Sequence, residues 1–122
     1  MTKSDELSIN IFISKQALER IKKDRFLKQN RNWYVRQINN LHDSNLNRPT
    51  ERIGDFNITP RGHEKRRIAW HFTAEKNIIN LFIDDLLYHI TDRNYVDNWN
   101  IKAEARKISL RDYGPYLPFE GL

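Results

Sequence analysis

Three consecutive cations, Lys65-Arg66-Arg67, open a strand-like run, Ile68-Ala69-Trp70-His71-Phe72. A polar turn follows, then a second apolar run from Ile78 to Ile83, and then Asp84, Asp85, Tyr88 and His89. If the two runs pair, cations, an imidazole and a phenol stand at the ends of adjacent strands, where rigid backbone holds them around a phosphodiester. Arginine suits bidentate phosphate recognition, and histidine titrates near neutral pH. The chemistry this suggests is the cutting of RNA. Arg61 and Lys65 reinforce the local positive field. His71 shares a strand face with Arg67, although a His between Trp70 and Phe72 ordinarily serves as a hydrogen-bonded structural residue. Asp84, Asp85 and His89 raise the question of a metal ion. Neighbouring side chains on a strand point to opposite faces, however, so ion pairing with basic helices is the expectation, with no metal site and no cofactor.

The elements that must carry these residues follow from periodicity. Ile9, Ile11 and Ile13 alternate with Asn10 and Phe12 and predict a strand. Ser14 then caps a helix whose apolar stripe is Ala17, Leu18 and Ile21 and whose other faces carry Lys15, Lys22, Lys23, Arg25 and Lys28. The pattern weakens over Gln29-Asn30-Arg31-Asn32 and restarts with Tyr34 or Val35, Ile38 and Leu41, which predicts a helical hairpin. His42 to Pro49 carry turn chemistry. Ile53, Phe56 and Ile58 look like one strand whose face switches at a bulge near Gly54. Thr73 to Asn77 form the turn of an antiparallel hairpin. Trp99, Ile101, Ala105 and Ile108 fit a final helix, and the aromatic, proline-rich end from residue 110 reads as an extended tail that either docks or awaits a partner. Trp33, Trp70 and Trp99 are expected in the core. The class is therefore α+β: an N-terminal strand, a helical hairpin, a small, mostly antiparallel meander, a C-terminal helix and an extended tail.

A length of 122 residues suits one domain over 1–122, with residues 1–7 as a flexible start. Lys and Arg number 21 against 16 acidic residues, a net charge of +5 that favours a polyanionic or acidic partner. No cysteine is present, so disulfides and Cys-ligated zinc are excluded. The first residues lack the apolar core of a signal peptide, and no apolar run reaches the ~20 residues of a membrane helix. A cytoplasmic protein with no membrane partner is the expectation.

The order of elements, a basic helix pair ahead of a strand meander, resembles the RelE/ParE toxin superfamily of type II toxin–antitoxin systems. Residues 65–79 are similar to its Arg-bearing strand, polar turn and following strand. Residues 81–89, followed by Asp92-Arg93-Asn94-Tyr95-Val96-Asp97, resemble a HigB-like ending in which an apolar strand leads to a His and a nearby Tyr-Asp pair. The chain departs from the family in spacing His89 further from Tyr95 and in its C-terminal extension. The resemblance implies a ribosome-dependent, metal-independent mRNA endoribonuclease with a cognate antitoxin protein, the ribosome and mRNA as partners. By position, Arg66 and Arg67 would stabilise the phosphate, His89 would act as acid or base, and Tyr95, or Tyr88 in another register, would stack or donate a proton. Lys22, Lys23, Arg61, Lys65 and His71 would contact nucleic acid. The alternatives are a gyrase-inhibiting toxin of ParE type, which needs no acid–base pair, and a noncatalytic nucleic-acid-binding protein.

Overall fold

The computed structural model describes residues 8–41, 51–53, 55–59, 65–91, 94–95 and 113–122, with the backbone alone described at 51–53, 89–91 and 94–95. The expected C-terminal helix and Arg61 lie outside the described residues. The fold is mixed α+β, with three helices and one sheet among the described residues. Strand β1 is Ser8–Ser14. Helices α1 (Lys15–Lys23), α2 (Arg25–Gln29) and α3 (Arg31–Asn39) follow. Then come β2 (Glu51–Ile53), β3 (Phe56–Thr59), β4 (Arg66–Glu75), β5 (Ile78–Thr91), β6 (Asn94–Tyr95) and β7 (Tyr116–Pro118). The strands lie in the order β2-β3-β4-β5-β1-β7, and β6 pairs with the far end of β5. The ladders are antiparallel except β1 against β5, which run parallel from Ser8↔Ile78 to Ile13↔Ile83.

The helices begin and end for local reasons. The Ser14 side chain accepts the Ala17 N–H at 3.0 Å and so caps α1. Asp24 breaks the helical run sooner than the periodicity suggests: its extended backbone (φ −91°, ψ 121°) ends α1, while its carboxylate accepts the Leu27 N–H and starts α2. The helical pair is thus three short helices. Their buried side chains, Ala17, Ile21, Leu27, Tyr34 and Ile38, pack on Ile68, Trp70, Leu81, Ile83 and Leu86 of the sheet. Each large apolar side chain so buried contributes about 1.5–3 kcal/mol. Polar atoms in this core are met. The Tyr34 hydroxyl donates to the Leu87 carbonyl at 2.8 Å, and Trp70 Nε1–H donates to Thr59 Oγ1 at 2.9 Å.

Two expectations need correction. Ile53 pairs with Phe56, so β2 and β3 are two antiparallel strands and not one strand with a bulge. The β4–β5 turn is Lys76 and Asn77 alone, with Lys76 in the left-handed region at φ 48°, and the ladder runs to Glu75↔Ile78. A bulge lies elsewhere in this sheet: Ala69 pairs with Asp85 and Trp70 with Ile83, leaving Asp84 as an extra residue of β5. The tail is docked. Tyr116–Pro118 pairs with Phe12–Ser14, Phe119 N–H donates to the Ile11 carbonyl, and the Gln16 side-chain amide both donates to and accepts from the Gly114 backbone.

Ser14 joins these parts, because its hydroxyl also donates to the Asp84 carbonyl at 2.7 Å from a fully buried position. Replacing Ser14 by Ala removes a cap and leaves a buried carbonyl short of a donor, so chemical denaturation should show a loss of about 1–3 kcal/mol. A loss below about 0.5 kcal/mol would mean that the hydroxyl does not join the two elements.

Candidate functional site

Two groups of chemistry-bearing side chains stand along the β4–β5 hairpin. The first lies where β4 begins and β5 ends. Arg66 is opposite Tyr88, Arg67 is opposite Leu87, and the next residue of β5, His89, is the backbone partner of Tyr95. All four residues expected to act on RNA therefore reach the same end of the sheet. His89 and Tyr95 are placed there by backbone register.

Arg66 and Arg67 point to opposite faces. Arg66 stays on the helix side, half-buried, with its guanidinium 4.3 Å from the Trp33 ring centroid and Nη1 donating to Asn30 Oδ1 at 3.1 Å. Neighbouring Lys65 is exposed, its ammonium 5.4 Å from the Phe26 centroid. Phe26 in turn stacks on Tyr88 at 4.2 Å. Such cation–aromatic contacts hold long side chains in place while leaving their charge undiminished. Arg67 is only 4% exposed, and its Nη1 donates to the Arg66 carbonyl at 3.1 Å.

Tyr88 donates to Asp24 Oδ2 at 2.7 Å. Burial, then the hydrogen bond and negative charge of Asp24, push its phenol up to about 12. So weak an acid gives up its proton poorly near neutral pH, which argues against Tyr88 standing in for Tyr95.

The second group is built around the bulge. The β1 ladder ends at Ile13↔Ile83, so beyond that point β5 loses its β1 neighbour and meets the start of α1 and the tail. Asp84 and Asp85, both fully buried, fill this place. Asp85 accepts two bonds from Arg20, at 2.7 and 3.0 Å, a third from the Tyr113 hydroxyl at 2.8 Å and a fourth from the Leu86 N–H. Asp84 meets His71 Nδ1 at 2.8 Å and accepts the Tyr116 hydroxyl. Ion pairing with a basic helix was expected and is present in Arg20. The two carboxylates do not diverge into separate surroundings, because the extra residue lets both meet the docked tail. Burial raises the Asp84 carboxyl above its ordinary 3.8, against the opposing pull of the His71 bond and charge and of the Tyr116 bond. Burial, and then the bond to Asp84 and its charge, push the Tyr116 phenol up. Among the described residues, no three His, Asp or Glu side chains are grouped so as to hold a metal ion.

Sequence reasoning passed over Arg20, Tyr113 and Tyr116. One signal was available: Arg20 borders the apolar stripe next to Ile21, and the chain has a single Asp-Asp doublet to meet such a cation. His71 belongs to this second group, about 14 Å along β4 from Arg67. Lys22 and Lys23 are exposed on α1, and Lys22 lines a cavity of about 640 Å³ together with Lys28, Arg31, Leu18 and Ile21. Among the described residues, no helix is long and apolar enough to cross a membrane.

Two measurements check the second group. Arg20→Ala removes a cation that donates twice to the fully buried Asp85 carboxylate, and urea unfolding should show a loss of about 3 kcal/mol. For Asp84 the sign follows from linkage: a carboxyl whose pKa is raised on folding binds its proton more tightly in the folded chain, so its contribution falls as pH rises from about 4 through its folded pKa. The stability of the parent chain relative to Asp84→Asn should decline over that window in thermal scans. A rise there would contradict the assignment.

Comparison with family models, with curated proteins and with solved structures returns no match to this chain.

Proposed function

We propose that the chain is a toxin of a type II toxin–antitoxin system that cuts mRNA on the ribosome without a metal ion, held in check by a cognate antitoxin protein. The observation that carries this reading is the register that gathers Arg66, Arg67, His89 and Tyr95 at one end of the sheet. In the proposed reaction a base removes the proton of a ribose 2′-hydroxyl, whose oxygen attacks the adjacent phosphorus while the bond to the 5′-oxygen breaks. An acid returns a proton to that leaving oxygen. Arginine charge stabilises the pentacoordinate phosphorane, and His89 serves as one of the proton-transfer groups, with Tyr95 stacking on a base or donating the other proton. The exposed cations of α1 supply affinity for ribosomal RNA without reading sequence.

A second reading, noncatalytic RNA binding, is favoured by the burial of Arg67 and by the engagement of Arg66 with Trp33 and Asn30. Primer extension on mRNA in translating ribosomes separates the two. The first reading expects new 5′ ends with the parent chain, and a rate lowered by about 100-fold or more in His89→Ala and Arg66→Ala. Salt-sensitive binding with no cut, or cutting undiminished in both variants, would overturn it.

A further inference from the structure

The helices cover one face of the sheet, and the other carries a row of rings. Phe12, Phe82 and His71 occupy directly opposed positions on three adjacent strands, β1, β5 and β4. Their rings run as a stack: Phe12 to Phe82 at 5.3 Å with an 18° interplanar angle, and Phe82 to His71 at 4.8 Å with 10°. All three are half-buried. Asp84 takes the Nδ1 side of His71, which fixes the ring and leaves Nε2 on its opposite side. One step along the strands, the next row is Asn10, Asn80 and Thr73, joined by an Asn10 Nδ2–H donated to Asn80 Oδ1 at 3.0 Å and an Asn80 Nδ2–H donated to Thr73 Oγ1 at 3.4 Å.

We infer that this face binds single-stranded RNA, with bases packing on the Phe12–Phe82–His71 row and their edges meeting the Asn10–Asn80–Thr73 row. The proposal rests on the RNA reading for its ligand class and is independent of the cleavage step. Three features select the occupant. Aromatic rings and an imidazole across neighbouring strands offer stacking worth about 1–3 kcal/mol per base, irrespective of base identity. Each amide in the polar row uses one N–H in the row and keeps a second. An apolar protein surface laid here would bury those donors unpaired at about 1–3 kcal/mol each, whereas base edges satisfy them. The chain's net charge of +5 complements a phosphate backbone. A flat sheet face with half-buried rings enters neither groove of a duplex, so unpaired bases are required. The row lies about 14 Å along β4 from Arg67, within reach of the same extended strand as the proposed cutting end.

The test is fluorescence anisotropy of the full chain with a short labelled oligoadenylate across a salt series. Phe82→Leu should weaken binding about tenfold or more with an unchanged salt slope, since no charge is removed. Phe82→Trp should bind as the parent does, and Asn80→Ala, a partly exposed position, should weaken binding severalfold even if Phe82→Leu fails to fold. A duplex of the same sequence should not compete. Parent-like affinity in both Phe82→Leu and Asn80→Ala, alongside weakened binding in Arg66→Ala, would overturn the platform while leaving the RNA reading in place. No binding by the parent chain would overturn the platform, while cutting on the ribosome stands or falls with primer extension. A dimer of the parent that Phe82→Leu dissociates in sedimentation would overturn it in favour of a second copy of this chain.

Discussion

Burying two adjacent carboxylates costs several kcal/mol per charge unless donors meet them, and that requirement organises the centre of this molecule. Asp85 draws Arg20 from α1 and Tyr113 from the tail, while Asp84 draws His71 from β4 and Tyr116 from the tail. Three segments are thereby tied by four side chains to one point on β5. The arrangement depends on geometry as much as on charge. A regular strand would send the two side chains to opposite faces, and the bulge at Asp84, placed just where the β1 ladder ends, lets both be reached. Ser14 adds a fifth tie through the Asp84 carbonyl.

With the centre fixed in this way, the two faces of the sheet are free to differ. One is closed by helices over Ile68, Trp70, Leu81 and Leu86. The other keeps Phe12, Phe82 and His71 half-exposed in a row, and His71 is common to the buried cluster and to the surface. The same carboxylate that satisfies a structural need thus orients a ring at the surface. At the end of the hairpin, cations are held against aromatic rings, Lys65 over Phe26 and Arg66 over Trp33, which positions charge without neutralising it. Buried carboxylates in the centre and positioned cations at one end give the hairpin an electrostatic direction that suits a polyanion entering from the cationic end.

Much of this was legible where the physics is local. The alternation of Ile9, Ile11 and Ile13, the cap at Ser14 and the Ala17 and Ile21 stripe depend on neighbours a few residues away, and each appears where the residues indicate. The β4–β5 pairing was legible for the same reason. The Gly54 region was misread because Ile53 and Phe56 break the period of two whether the cause is a bulge or a tight turn, and only the ladder separates the cases. Thr73 and Glu75 looked like part of a turn because they are polar, but they are exposed residues at the end of a long hairpin, where polarity does not forbid a strand. The acid cluster was illegible in principle. Its bulge leaves no local mark, and Arg20, Tyr113 and Tyr116 lie 65, 28 and 32 residues from the carboxylates they meet. The ring row was half legible, since alternation places Phe12 and Phe82 off the core face, but their opposition across β1 and β5 requires the parallel register.

The central claim is that RNA packs on the Phe12–Phe82–His71 row of the sheet and reaches the end where Arg66 stands. Amide chemical-shift mapping with an uncleavable RNA lacking the attacking 2′-hydroxyl tests it most directly. The account predicts perturbation at Arg66 and His89 and at His71, Phe82 and Phe12, with Lys22 and Lys28 little affected. Perturbation confined to Lys22, Lys28 and Arg31 around the helix-side cavity, or none at saturating RNA, would contradict it.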